Sequence, residues 1–169
     1  MKIAIASDHA GYTVKEQIYN WLNSKQDLTV AFDKTTYQKS LQKIDEKFTD
    51  IIITDIIIQD LGVDTYNKVD YPDYANKLCS NLLLGHADIG ILICGTGIGM
   101  SMAANRFPNI RAALCKDVES AKLSRQHNNA NVLCLGARNT DNIIEIVQTF
   151  LETSFAQGRH SRRISKFSV

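Results

Sequence analysis

Cys94 is the residue around which chemistry in this chain would be organised. It closes the apolar run Ile89-Gly90-Ile91-Leu92-Ile93 and opens Gly95-Thr96-Gly97-Ile98-Gly99-Met100-Ser101. A short apolar run reads as a buried parallel strand, and three glycines at alternate positions read as a loop feeding a helix. Strand, glycine loop and helix together aim backbone N–H groups at an anion. A thiol near a helix N-terminus tends toward thiolate. The stretch offers an anion cradle beside a base or nucleophile, with the Thr96 hydroxyl two residues on. Taken alone, it fits an inert buried cysteine next to a common glycine turn equally well. It lacks the GxGxxG spacing of a dinucleotide fold and the Lys-Ser/Thr of a nucleotide phosphate loop.

Other polar groups stand at the ends of other segments. Asp8 and His9 follow the first apolar run; for an isolated pair, a helix-capping carboxylate and an exposed imidazole are the plainer account. His127 and Asn128 end a helical stretch, and Arg138 follows the last apolar run. Arg159 and Arg163 are spaced i, i+4, so they share a face if the tail is helical. The expectation is that all of these collect at the carboxyl ends of the strands, where open α/β sheets bind ligands. Such a set suits a phosphorylated polyol. Arginines bind phosphate, Asp and Asn bind hydroxyls, backbone amides hold an oxyanion, and a thiolate and an imidazole move protons.

Alternating strands and helices must position these groups. Lys2–Ser7 reads as the first strand, and Val14, Ile18, Trp21 and Leu22 mark an amphipathic helix over 12–25. Residues near 26–50 are polar and irregular, a surface insertion. Ile51-Ile52-Ile53 and Ile56-Ile57-Ile58 hold the second strand, with either triplet able to carry it. Asp70-Tyr71-Pro72 opens a second helix, Pro72 suiting its first turn, and Gly85 ends it. The central strand and glycine loop come next. Ile110–Cys115 reads as a strand, Asp117 as the cap of a helix reaching Asn129, Asn131–Leu135 as the fifth strand, and Asp141 as the cap of the last long helix. Residues 157–169 form a basic tail. Five alternations predict a single α/β domain over 1–169: a Rossmann-like three-layer α/β/α sandwich around a five-stranded parallel sheet.

The chain has 169 residues, 44% apolar and 22% charged, with a formal net charge of +1. That length supports one full core, and the charge balance favours no nucleic-acid partner. No apolar run is long enough for a membrane span, and the amino terminus enters a strand without a signal-peptide pattern. Four scattered cysteines with no CxxC pair argue against a zinc site and a disulfide framework, and for a reducing cytoplasm.

Several of these segments, read together, are recognisable. SDHAG at 7–11, DYPDYA at 70–75, ILICGTGIGMSMAAN at 91–105, SRQHNNANVLCLGAR at 124–138 and GRH at 158–160 resemble the ribose-5-phosphate isomerase B family, whose relatives include galactose-6-phosphate isomerase subunits. The motifs span nearly the whole chain in order. The resemblance implies that Cys94 is the base that shuttles a proton between C1 and C2. Thr96 and the amides of Gly95, Gly97, Ile98 and Gly99 would hold the enediolate oxygen. His127 would open the furanose ring, with Asn128 on a substrate oxygen and Asp8 on hydroxyls. His9, Arg138, Arg159 and Arg163 would hold the phosphate, and Tyr71 would line the pocket. It implies a homodimer or dimer of dimers with shared sites, no metal and no cofactor. The alternatives are a hexose 6-phosphate isomerase, a non-catalytic sugar-phosphate-binding protein and, with no nucleotide fingerprint to support it, a nucleotide-binding module. The segment before DYPDYA is longer than the family's usual loop.

Overall fold

A computed structural model describes residues 1–30, 56–138 and 140–167, with backbone alone for 26–30. Five parallel strands form one sheet: β1 (Lys2–Ser7), β2 (Ile57–Asp60), β3 (Ile89–Cys94), β4 (Ala112–Leu114) and β5 (Val132–Gly136). Their order is β2-β1-β3-β5-β4. Six helices are described: α1 (Tyr12–Val30), α2 (Tyr71–Leu83), α3 (Ile98–Ala104), α4 (Val118–Asn128), α5 (Ile143–Glu152) and α6 (Arg159–Ile164).

The period-2 alternation of each strand builds two cores. Ile3, Ile5, Ile91, Ile93, Leu133 and Leu135 face α1, α4 and α5, meeting Ile18, Leu22, Ala121, Ile146, Val147 and Phe150. Ala4, Ala6, Leu92, Cys94, Val132 and Cys134 face α2 and α3, meeting Ala75, Leu78, Cys79, Met100 and Ala104. β3 and β5 are buried along their whole length, which is why their sequences are unbroken apolar runs. The result is the three-layer α/β/α sandwich that the alternation predicts.

Several boundaries differ from the sequence reading. α1 runs to Val30 rather than 25; Gln26-Asp27-Leu28-Thr29-Val30 contains neither Gly nor Pro to stop it. The second Ile triplet carries β2, which spans Ile57–Asp60; the first triplet and most of the expected insertion, residues 31–50, lie outside the described residues. β4 is only three residues long. Its approach is held instead by the Asn131 side chain, whose Oδ1 accepts the Arg111 N–H at 2.8 Å. The cap of α5 is Asn142, not Asp141: Asn142 adopts the left-handed conformation at φ 53° and makes no side-chain cap bond. Asp117 does cap α4, in a reciprocal box with Ser120.

Candidate active site

The carboxyl ends of β1, β3 and β5 are tied together by main-chain bonds. Asp8 N–H donates to Ile93 O at 3.1 Å, and Ala137 N–H donates to Cys94 O at 2.8 Å. Cys94 ends β3, buried on the α2/α3 face. The Gly97 N–H donates to its Sγ at 3.1 Å, so an amide is aimed at the sulfur. Gly97 has φ 75°, and a Cβ there would lie 2.5 Å from Leu114 Cδ1 and 2.9 Å from the Leu135 carbonyl carbon. Only glycine turns this tightly over the ends of β4 and β5 while keeping its amide on the thiol.

Two side chains flank the loop. The Tyr71 ring lies against Gly99, where a Cβ would come within 2.6 Å of Tyr71 Cζ. The Arg138 guanidinium lies against Gly95, 3.2 Å from the place a Cβ would take, and the Arg138 N–H donates to Gly95 O at 3.1 Å. Thr96 is exposed, and its Oγ1 accepts the Ile98 N–H at 3.3 Å. Asp8 does serve the turn into α1: its Oδ1 accepts the N–H groups of Ala10 and Gly11 at 2.9 and 3.0 Å. His9 Nδ1 accepts the Val69 N–H at 3.3 Å, so the neutral ring carries its proton on Nε2. Asp8, His9, Tyr71, the loop 94–99 and Arg138 thus form one cluster.

His127, Asn128, Arg159 and Arg163 do not join it, which corrects the expectation that all the groups collect at one end. α4 leaves β4 at its carboxyl end and returns the chain to the amino end of β5, as a crossover helix between parallel strands must. The Gly90 N–H donates to Asn131 O at 2.9 Å, just past the end of α4. Cys94 lies four residues up β3 from Gly90, about 13 Å further along. The faces differ too: α4 packs on the core of Ile91 and Leu133, Cys94 on the other. His127 and Asn128 are therefore at the opposite end and on the opposite layer from the thiol of the same chain.

The tail belongs to this second cluster. Arg125 anchors it, its Nε–H donating to Thr153 O at 3.2 Å while its guanidinium lies over the Phe150 ring. The Ala156 N–H donates to Gln126 O at 3.0 Å. Gln157 and Gly158 both take positive φ, 56° each, and turn the chain into α6. There His160 stacks on His127, with ring centroids 4.3 Å apart and planes 5° apart. α6 is helical, so Arg159 and Arg163 are one turn apart.

Two features escaped the sequence. His160 sits in the GRH triplet, but its stacking depends on the tail folding back. Lys15 reads as a polar position of α1, yet it is fully buried, pairing with Asp60 and Glu16. Burial works against its charge, and the two carboxylates outweigh it, so its pKa is raised. Three other cysteines are pushed up by burial: Cys79 to about 12, Cys115 to about 11 and Cys134 well above the ordinary thiol. Among the described residues no three His, Cys, Asp or Glu side chains gather as a metal site, and no helix is long and apolar enough to cross a membrane.

Comparison with known proteins is consistent across the chain. The family model for ribose/galactose isomerases matches residues 42–167. A Rickettsia typhi protein named as a sugar phosphate isomerase is 43% identical over 166 residues, covering 97% of this chain and 95% of the relative. The solved structure of a ribose 5-phosphate isomerase from Thermotoga maritima matches with TM-score 0.76 and 44% identity, over 98% of this chain and 95% of that one. A ribose-5-phosphate isomerase B of Mycoplasma genitalium, solved with bound ribulose 5-phosphate, matches with TM-score 0.73 and 38% identity, over 98% and 92%.

Proposed function

This chain belongs to the ribose/galactose isomerase family, and from that premise we propose that it interconverts ribose 5-phosphate and ribulose 5-phosphate through an enediolate, in the non-oxidative pentose phosphate branch. The observation that carries the reading is the Cys94 sulfur under the Gly97 amide, at the base of the glycine loop that leads into α3. Aldose–ketose isomerisation removes a weakly acidic proton beside a carbonyl, so it needs a base and an anion hole together. Cys94 as thiolate takes the proton from C2 of the open aldose. The electron pair forms the C1–C2 double bond, and the carbonyl oxygen becomes the oxyanion held by the loop amides and Thr96. The O2 hydroxyl proton then passes to O1 as the C2 carbonyl forms, and the same sulfur returns the proton to C1 as the C1–C2 double bond opens. A well-placed donor of this kind is worth about 3 to 4 kcal/mol.

Ribose 5-phosphate is mostly a closed furanose, so a second acid/base must open it. His127 takes the proton from the C1 hydroxyl and gives one to the ring oxygen, breaking the C1–O4 bond as the C1 carbonyl forms. Asn128 holds a substrate oxygen. His9 and Arg138 on one cluster, Arg159 and Arg163 on the other, close on the phosphate, while Asp8 and Tyr71 line the sugar. Because the two clusters lie at opposite ends of one chain, a working site takes His127, Asn128, Arg159 and Arg163 from a second copy. The chain then acts as a homodimer or a pair of dimers, with no metal or cofactor in the reaction. Its four free, buried cysteines suit the cytoplasm.

The test is solvent deuterium exchange into C1 of ribulose 5-phosphate, measured beside net consumption of ribose 5-phosphate. Cys94→Ala loses both, by about 10²- to 10⁴-fold for a general base. His127→Ala keeps exchange and loses consumption. Wild-type exchange by Cys94→Ala would make Cys94 a structural thiol. Faster turnover of allose or galactose 6-phosphate than of ribose 5-phosphate would move the substrate to the hexoses.

A further inference from the structure

His160 is the buried imidazole that neither the base nor the ring-opening step uses. It is 7% exposed and lies face to face with His127, the planes only 5° apart. The Arg159 Nε–H donates to its Nε2 at 3.4 Å. Nε2 is therefore the acceptor, and the neutral ring carries its proton on Nδ1. Burial, followed by His127, Arg159 and Arg163, lowers its pKa. The shift favours the uncharged form of the ring beneath His127.

The torsion that turns an imidazole about its Cβ–Cγ bond is broad and roughly two-fold. An imidazole in the last turn of a helix, half-exposed, therefore does not hold one plane unaided. Ring opening needs that plane held, because one ring must reach the C1 hydroxyl and the ring oxygen in turn. A stacked partner holds it. A neutral partner holds it in both protonation states that His127 passes through, whereas a second imidazolium would repel the charged one.

We propose that His160 is a positioning residue for ring opening: its flat ring, brought back by the Gln157-Gly158 turn, sets the plane of His127. This assignment rests on the reading of His127 as the group that opens the sugar ring.

The experiment compares His160→Ala, His160→Phe and His127→Ala in two assays, consumption of ribose 5-phosphate and deuterium exchange into ribulose 5-phosphate. A displaced catalytic group costs up to about 10²-fold, so His160→Ala should lower kcat with ribose 5-phosphate by about 10- to 10²-fold while exchange stays within about twofold. His160→Phe keeps a flat ring without the Arg159 bond and should regain most of the loss. Full consumption by His160→Ala, with His127→Ala defective, overturns the assignment and leaves the ring-opening reading intact. Full consumption by His127→Ala overturns both. Phe as poor as Ala, or loss of exchange together with consumption, would make His160 a structural residue and overturn its positioning role.

Discussion

Two inactive variants should restore activity when mixed, and the amount follows from geometry. Cys94→Ala removes the thiol at the carboxyl end of β3, and His127→Ala removes the imidazole at the far end of α4. Within one chain the two levels are about 13 Å apart along the strand direction, on opposite layers of the sandwich. A proton-transferring group must come within about 3 Å of its proton. One chain therefore cannot bring both to one substrate. In a two-fold dimer, each site takes Cys94 from one copy and His127 from the other. A mixed dimer then has one site lacking both residues and one with both intact. At equal concentrations with free exchange, half of the dimers are mixed, so recovery should approach about a quarter of the wild-type rate. The assay is ribose 5-phosphate consumption after denaturant-assisted exchange, with differently tagged chains to count mixed dimers. If mixed dimers form and activity stays at the level of the separate variants, the residues do not share a site across copies.

Other outcomes test separate parts of the structure. Arg159→Ala should raise KM for ribose 5-phosphate by about 10- to 10²-fold, the loss of one charge-assisted phosphate contact; an unchanged KM removes α6 from the phosphate site. Iodoacetamide at pH 8 should label Cys94 first in the native protein and be slowed by substrate. Cys79 and Cys115, pushed to about 12 and 11 by burial, should react only on unfolding; equal labelling of either in the native state would refute this. Asp60→Ala should destabilise more than Lys15→Met, by about 2 to 3 against about 1 kcal/mol in urea titrations. The first strands a buried ammonium with Glu16 alone, while the second leaves carboxylates 30% and 39% exposed. The Lys15 pKa is raised on folding, so its stabilisation is full below the ordinary value of 10.5 and fades as pH rises through the folded value. A stability plateau that continues unchanged into strong alkali, with Lys15→Met no different there, would refute that link.

The parallel sheet was legible in the sequence because burial on both faces leaves unbroken apolar runs at Ile89–Cys94 and Val132–Gly136. The Cys94 cluster was legible for a local reason. A strand, a glycine loop and a helix start lie within a dozen residues, and the alternate glycines mark the turn that Gly97 makes at φ 75°. The separation of His127 from Cys94 could have been read from topology, since a helix between parallel strands returns the chain to their amino ends. Motif spacing carries no direction, so the sequence left open whether the tail or the His127-Asn128 segment would serve a neighbouring copy. Only the tertiary structure decided the strand order, the burial of Lys15 against Asp60 and the stacking of His160 on His127. Each joins residues between about twenty and ninety positions apart through packing that no local pattern encodes: Lys15 and Asp60 meet because β2 lies beside β1, and the two imidazoles meet because Arg125 and the Gln157-Gly158 turn fold the tail onto α4.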